Sequence, residues 1–353
     1  MFPMLIDLVK IFIPTAFAFF LGLVLTPIAT HFFYKYKMWK KHSRSCDCTT
    51  EFKDIHNEEG ELNTPRVGGI IIWFSVFLIT SIFYILSVLI PSDENTKLNF
   101  LSRNQTFIPF FTLIFGAIIG LWDDLIQIYG HGKFAKDDVS WRKWKALMVG
   151  LGALVIGSWF YFKLGMTGIH IPFDGQLYLG IFIIPFFVLV ALAIFSGGVI
   201  DGIDGLSGGV FASIFASYAA IAFANNQIDL AAFSGVVSGA ILAFLWFNIP
   251  PARFYMGETG IMALTMTLAT LAFLTDTVLL LPIIAMMLVV TSGSVIIQLL
   301  SKKFRNGKKV FRLAPLHHHF EAIGWPSYKV TMRFWILSII FSIVGIILSI
   351  ISR

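Results

Sequence analysis

From Val67 to Ser92 the chain carries no charged residue, and nine other apolar stretches of similar character lie before and after it. About 18 or more consecutive apolar residues cross the ~30 Å hydrocarbon core of a bilayer as one helix. The ten stretches fall near 11–34, 67–90, 107–122, 146–163, 177–196, 209–225, 230–247, 261–275, 278–300 and 334–351. Asp276 alone interrupts the run from 261 to 290. That run reads as two helices turning at Thr275–Thr277, with a single tilted helix as the alternative. The first stretch is too long for a signal peptide and lacks a small-residue cleavage site, so it is expected to remain a helix. Only 13% of the residues are charged, against roughly 25% in soluble domains. An all-α integral membrane protein of about ten transmembrane helices is therefore predicted, as one polytopic domain over residues 1–353. A soluble enzyme, a secreted disulfide scaffold and a disordered chain are excluded. So is a transmembrane barrel, whose strands would alternate in period 2.

The net charge of +6 has a topological meaning in such a chain. Numbering the loops between ten helices, the odd loops collect 21 Lys and Arg, and the even loops with both termini hold 5. Cytoplasmic loops accumulate Lys and Arg, so the odd loops are predicted to be cytoplasmic and both termini outside. No nucleic-acid partner is needed to explain the basic balance. Cys46 and Cys48 form a C-x-C pair too short for a structural zinc site, and no role is assigned to them.

Four polar constellations all fall on the odd-loop side. The first is Gly120-Leu-Trp-Asp-Asp124, at the expected end of the third helix. Adjacent carboxylates repel, and coexist through a cation or a raised pKa. Magnesium suits them, as a hard ion held by one or two carboxylates beside substrate phosphate. A solvated helix end is the alternative. The second is Ser196-Gly-Gly-Val-Ile-Asp-Gly-Ile-Asp-Gly-Leu-Ser-Gly-Gly209. On a helix, Asp201 and Asp204 would share one face. Acids at a membrane edge are costly and usually functional, although a glycine-rich packing turn fits the pattern too.

The third constellation, Phe247 to Gly260, offers Asn248, Arg253, Tyr255 and Glu258: an amide, a fixed cation, an aromatic face and an acid. Its aromatics suit either base stacking or an interfacial belt. The fourth, Ala314-Pro-Leu-His-His-His-Phe-Glu-Ala-Ile-Gly-Trp-Pro326, holds His317, His318 and His319. Three consecutive histidines cannot all point one way. One or two can donate to phosphate oxygens, and the adjacent spacing does not suit a zinc chelate. Arg142, Lys143, Lys145, Arg312 and Arg333 supply nearby cations. Together these residues describe a magnesium-dependent pocket for a polyphosphate at a membrane surface.

These blocks, in this order, resemble the polyprenyl-phosphate hexose-1-phosphate transferase superfamily, glycosyltransferase family 4. The resemblance also covers Asn63-Thr-Pro-Arg-Val-Gly-Gly69, Arg142-Lys-Trp-Lys145 and Phe311-Arg-Leu-Ala-Pro315. The histidine block points to the branch that handles phospho-MurNAc-pentapeptide. The resemblance implies a Mg2+-dependent transfer from UDP-MurNAc-pentapeptide to undecaprenyl phosphate, giving lipid I and UMP in the bacterial inner membrane. A UDP-N-acetylhexosamine donor, and an inactive lipid-binding or transport homologue, are the alternatives. The bilayer is an implied partner and a homodimer a candidate assembly.

By match to the family motifs, Asp123, Asp124, Asp201, Asp204, Lys145, His317, His318 and His319 are the implied catalytic set. Asn248, Arg253, Tyr255 and Arg66 are implied substrate contacts, with Tyr255 stacking on uracil. Glu258 and Asp201 are the implied metal ligands. The chain departs from the family pattern at several places. Phe195 and Gly198 stand where two asparagines are usual, and Glu258 replaces an aspartate. Gln127 takes the place of a lysine and Thr291 that of a glutamate. Arg66 and Glu61 replace a threonine and a lysine.

Overall fold

A computed structural model describes residues 2–39, 63–130 and 139–352. Cys46, Cys48 and Glu61 lie outside these residues. Among the described residues, ten helices are long and apolar enough to cross a membrane. They are α1 Phe2–Lys35, α2 Gly69–Leu89, α3 Phe107–Tyr129, α4 Val139–Phe162 and α5 Ile183–Ser196, the last extended by 3-10 turns at both ends into a span of Gly180–Ile200. Then come α6 Leu206–Ala224, α7 Ile228–Asn248, α8 Gly257–Leu274, α9 Met286–Phe304 and α10 Ser327–Ile351. The predicted all-α, ten-helix membrane architecture therefore stands, and the chain is a multi-pass membrane protein.

Helices α7 and α8 are the buried centre, while α1, α9 and α10 keep long apolar flanks exposed. Exposed Leu, Ile and Phe on those flanks have lipid as their solvent, so their exposure costs nothing there. α1 lies along α7, α8 along α3, and α6 between α7 and α10. Glycines allow the closest of these contacts. A Cβ on Gly120 of α3 would lie 2.2 Å from the Glu258 carbonyl oxygen, so α3 and the start of α8 touch backbone to backbone.

The hydrogen bonds divide the helix ends into two faces. On one, the ends of α3, α5 and α7 meet the starts of α4, α6 and α8 through the acids described below. On the other, Gln227 donates to the Leu274 carbonyl at 2.8 Å, and His170 Nε2 lies 3.0 Å from the Ser352 carbonyl oxygen. This sorting is what ten alternating crossings require.

The boundaries differ from the sequence reading in four places. The fifth apolar stretch was expected from 177, but Leu177 and Tyr178 belong to a hairpin. Strands β1 Gly168–Ile171 and β2 Gly175–Tyr178 pair antiparallel, with Ile171 opposite Gly175. Phe173 and Gly175 take positive φ in the turn. Asp276 pins the hairpin by accepting from the His170 backbone N–H at 3.0 Å. The third helix runs on to Tyr129, because Asp123 and Asp124 find protein partners within the bundle rather than water. The chain does turn at Thr275–Thr277, where Asp276 has positive φ, but a separate short helix Leu281–Ile284 precedes α9. Finally, Asp201 and Asp204 do not share a helix face. The 3-10 turn Gly197–Ile200 ends at Asp201, whose ψ of 66° leaves helical geometry, and α6 begins only after Gly205 at φ +75°.

Candidate active site

The first turn of α8 organises the site. A helix start leaves backbone N–H groups without intrahelical partners and attracts negative charge. Here two aspartates from other elements satisfy them. Asp124 of α3 accepts from the Glu258 N–H at 3.1 Å, the Thr259 N–H at 2.8 Å and the Thr259 hydroxyl at 2.6 Å. Asp201 accepts from the Gly257 N–H at 3.3 Å and from the Ser207 hydroxyl at 2.7 Å. Gly257 itself sits at φ +67°, and a Cβ there would lie 1.8 Å from the Arg66 carbonyl oxygen. Only glycine lets the 63–68 segment and α8 meet this closely. The Arg66 charge stands close to both carboxylates.

Beside this cap, Lys145 joins three elements. Its Nζ lies 3.1 Å from Asp123 Oδ2 and 2.9 Å from Glu258 Oε1, and the lysine is almost fully buried. Asp123 Oδ2 also accepts from Gln127 Nε2 at 2.7 Å, and Oδ1 accepts from the Trp141 indole N–H. The Glu258 side chain keeps about a quarter of its surface exposed, at 26%, so it faces outward beyond Lys145.

A second cluster lies past Gly202. A Cβ there would be 2.5 Å from His317 Nε2 and 2.9 Å from His318 Nε2, so two of the three histidines converge on the Asp201–Asp204 loop. His318 Nδ1 lies 2.7 Å from Glu321 Oε2, which orients its ring. His319 turns the other way and accepts from the Arg312 N–H at 3.2 Å. Asp204 accepts from the Ala252 N–H at 3.0 Å. Burial pushes both the Asp201 and the Asp204 carboxyl above the usual aspartate range. Glu321 adds repulsion at Asp204, and the Ser207 hydroxyl and the Arg66 charge work against the rise at Asp201.

The third constellation divides. Asn248 braces the backbone: Oδ1 accepts from the Gly205 N–H at 3.1 Å and Nδ2 donates to the Phe254 carbonyl at 2.8 Å. Arg253 is exposed, with its guanidinium 5.4 Å above the Phe247 ring. Tyr255 is half-buried, and its backbone pairs with Pro65 and Gly68. Thus Asp123, Asp124, Asp201, Lys145, Glu258 and Arg66 form one contiguous group. His317 and His318 border it, whereas His319 and Arg253 stand outside.

Trp141, Thr259, Ser207 and Glu321 complete the network and carried no distinct signal in the sequence. Only the positions of Thr259 and Ser207, at helix starts next to acids, hinted at a role. The departures have local reasons as well. Gly198 packs so closely that a Cβ would lie 2.4 Å from Ile261, and Thr291 donates to its own helix at the Met287 carbonyl.

Among the described residues, no three His, Cys, Asp or Glu side chains converge as a ready-made metal cage. Magnesium does not require one, since it retains waters and substrate phosphate alongside one or two carboxylates. Glu258, outward-facing and acidic, fits that demand, and Asp201 is the nearby second acid held against the same helix turn.

A family model for glycosyl transferase family 4 matches residues 106–276, which include Asp123, Asp124, Asp201, Asp204 and Glu258. The chain belongs to that class of membrane transferases. More narrowly, it is a member of the phospho-N-acetylmuramoyl-pentapeptide-transferase family. It is 35% identical over 304 residues to the enzyme of that name from Geobacillus sp. (strain WCH70), covering 82% of this chain and 85% of the relative. The match to that of Anoxybacillus flavithermus is 33% over 346 residues, covering 93% and 94%. With that of Latilactobacillus sakei it is 32% over 333 residues, covering 93% and 96%.

Proposed function

We propose that this chain transfers phospho-MurNAc-pentapeptide from its UDP carrier to undecaprenyl phosphate, releasing UMP and forming lipid I. The reaction takes place at the cytoplasmic face of the bacterial inner membrane. The observation that carries this reading is Lys145 bridging Asp123 and Glu258 beside the capped start of α8, within a chain of this family. The lipid phosphate oxygen attacks the sugar-side phosphorus of the diphosphate. A new P–O bond forms there, the bond to the bridging oxygen breaks, and UMP leaves with that oxygen.

Both partners are anions, so the barrier contains their repulsion. Lys145 offers a buried cation that can shift from Asp123 and Glu258 toward an arriving phosphate. His317 and His318 present their Nε2 atoms toward Gly202 of the Asp201–Asp204 loop, suited to donate to phosphate oxygens. Asp123, held by Trp141 and Gln127, orients the lipid phosphate and takes its proton where one is present. Glu258, with Asp201, would hold Mg2+, which supplies charge neutralisation on the diphosphate and its leaving group. Tyr255 and Arg66 would contact the uridine, by stacking and pairing.

The test is UMP release by the full chain in detergent, with and without magnesium, from UDP-MurNAc-pentapeptide and from UDP-N-acetylhexosamines. Magnesium-dependent release from the muramoyl donor alone is expected. Asp123→Asn should lower turnover by about 100-fold, as loss of one preorganised electrostatic group does. Release from a hexosamine donor instead, or none from either, would overturn the reading.

A further inference from the structure

Past the last turn of α9 the chain forms a basic lobe that the site does not use. Lys302, Lys303, Arg305, Lys308, Lys309 and Arg312 lie within eleven residues that contain no acid. All six are exposed, and among the described residues no carboxylate pairs with any of them. Like charges packed so closely repel one another, and a flexible loop would spread them apart. This one is held. Gln298 clips it from inside, accepting from the Val310 and Phe311 N–H groups at 3.0 Å each and donating to the Phe311 carbonyl at 2.8 Å. Ser301 donates to the Lys308 carbonyl at 2.8 Å, and Asn306 and Gly307 take positive φ to close the turn.

The depth of the lobe identifies what faces it. Ile296, Ile297, Leu299 and Leu300, immediately before it, are exposed on the membrane-spanning part of α9. Phe304 then stands 73% exposed at the end of the span, with Lys303 Nζ 5.6 Å from its ring centroid. Val310 is exposed on the returning strand of the loop. An aromatic ring at the last apolar turn, followed directly by cations, marks the headgroup level of a bilayer. A soluble acidic partner would need neither the exposed Phe304 nor the apolar surface leading to it.

We propose that this lobe is a docking surface for anionic phospholipid headgroups, whose phosphates pair with Lys302, Lys303, Lys308 and Lys309. Each basic residue near an anionic leaflet strengthens attachment by about fivefold. The lobe also touches the histidine segment, since Phe311 packs edge-on against His319 and the Arg312 N–H donates to the same ring.

The test uses the full chain in nanodiscs, with an environment-sensitive fluorophore on Val310→Cys in a Cys46→Ser/Cys48→Ser background. Brominated phosphatidylglycerol should quench it several-fold more than brominated phosphatidylcholine. High salt should erase that preference, as should Lys302→Gln/Lys303→Gln/Lys308→Gln/Lys309→Gln. The four matching Lys→Arg changes should keep it. Equal quenching by the two lipids, or a preference that survives the four glutamines, would overturn the proposal. UMP release measured on the same discs separates the two readings. Lipid preference without UMP release would sink the proposed function and leave this surface standing, and release without preference would do the reverse.

Discussion

Glu258 gives the proposed function its sharpest test. Its extra methylene, relative to aspartate, carries the carboxylate to within 2.9 Å of Lys145. Glu258→Gln keeps the shape and removes the charge, and is expected to abolish magnesium-dependent UMP release. Glu258→Asp retracts the group from Lys145 and should weaken activity, because magnesium tolerates little error around its ~2.0–2.1 Å ligand distances. A Glu258→Gln enzyme with unchanged turnover and unchanged magnesium titration would remove Glu258 from the site. Asp204 yields a different test. Burial and Glu321 raise its folded pKa above the ordinary 3.8, so the folded state binds a proton more tightly than the unfolded chain does. The cost of ionising it is absent at low pH and grows as pH rises through that window. Asp204→Asn retains an acceptor for the Ala252 N–H and never ionises. Its melting temperature relative to the parent should therefore climb as pH rises above the ordinary aspartate range. A pH-independent difference in melting temperature would contradict the assigned burial cost.

At the scale of elements, the start of α8 is built by convergence rather than by its own cap. No side chain within the helix caps it; the carboxylates come from α3 and from the 201–205 loop. This arrangement depends on Gly257. Alanine there must adopt a left-handed backbone, which costs ~1–2 kcal/mol, and its Cβ meets the Arg66 carbonyl oxygen. Gly257→Ala should therefore lower the melting temperature in detergent sharply and also lose activity. Gly293→Ala is the matched control. It sits in α9 with nothing within 4 Å of an added Cβ, and should be neutral or slightly stabilising, since alanine favours helix by about 1 kcal/mol over glycine. Equal effects of the two substitutions would show that the close approach at α8 is dispensable.

For the whole molecule, the charge bias predicts which face meets the cytoplasm. A single cysteine at Arg305 should be shielded from an impermeant reagent in intact cells, and one at Lys97 should react. The reverse pattern would place every candidate site residue away from cytoplasmic nucleotide. The number of crossings, the sidedness of the acids and the histidine block could all be read from the chain. Unbroken apolar runs, loop charge and short motifs are local properties, and a bilayer leaves them few alternatives. Strand pairing at 168–178 escaped notice because its turn is set by two positive-φ positions and an anchor at Asp276, more than ninety residues away. The motifs nominated acids but not their duties. Asp123 and Asp124 are neighbours in sequence, yet one meets Lys145 of α4 and the other caps α8. Asp201 and Asp204, three residues apart, part company because the chain leaves helical geometry at Asp201 itself. By itself the sequence determined a ten-helix membrane protein with acids, histidines and cations gathered at one face. Only the tertiary structure decided which carboxylate meets the lysine, which ones hold the helix start, and which histidines turn inward. Those choices rest on contacts between helices distant in sequence, set by glycine-permitted approaches and by the unpaired N–H groups of a buried helix end.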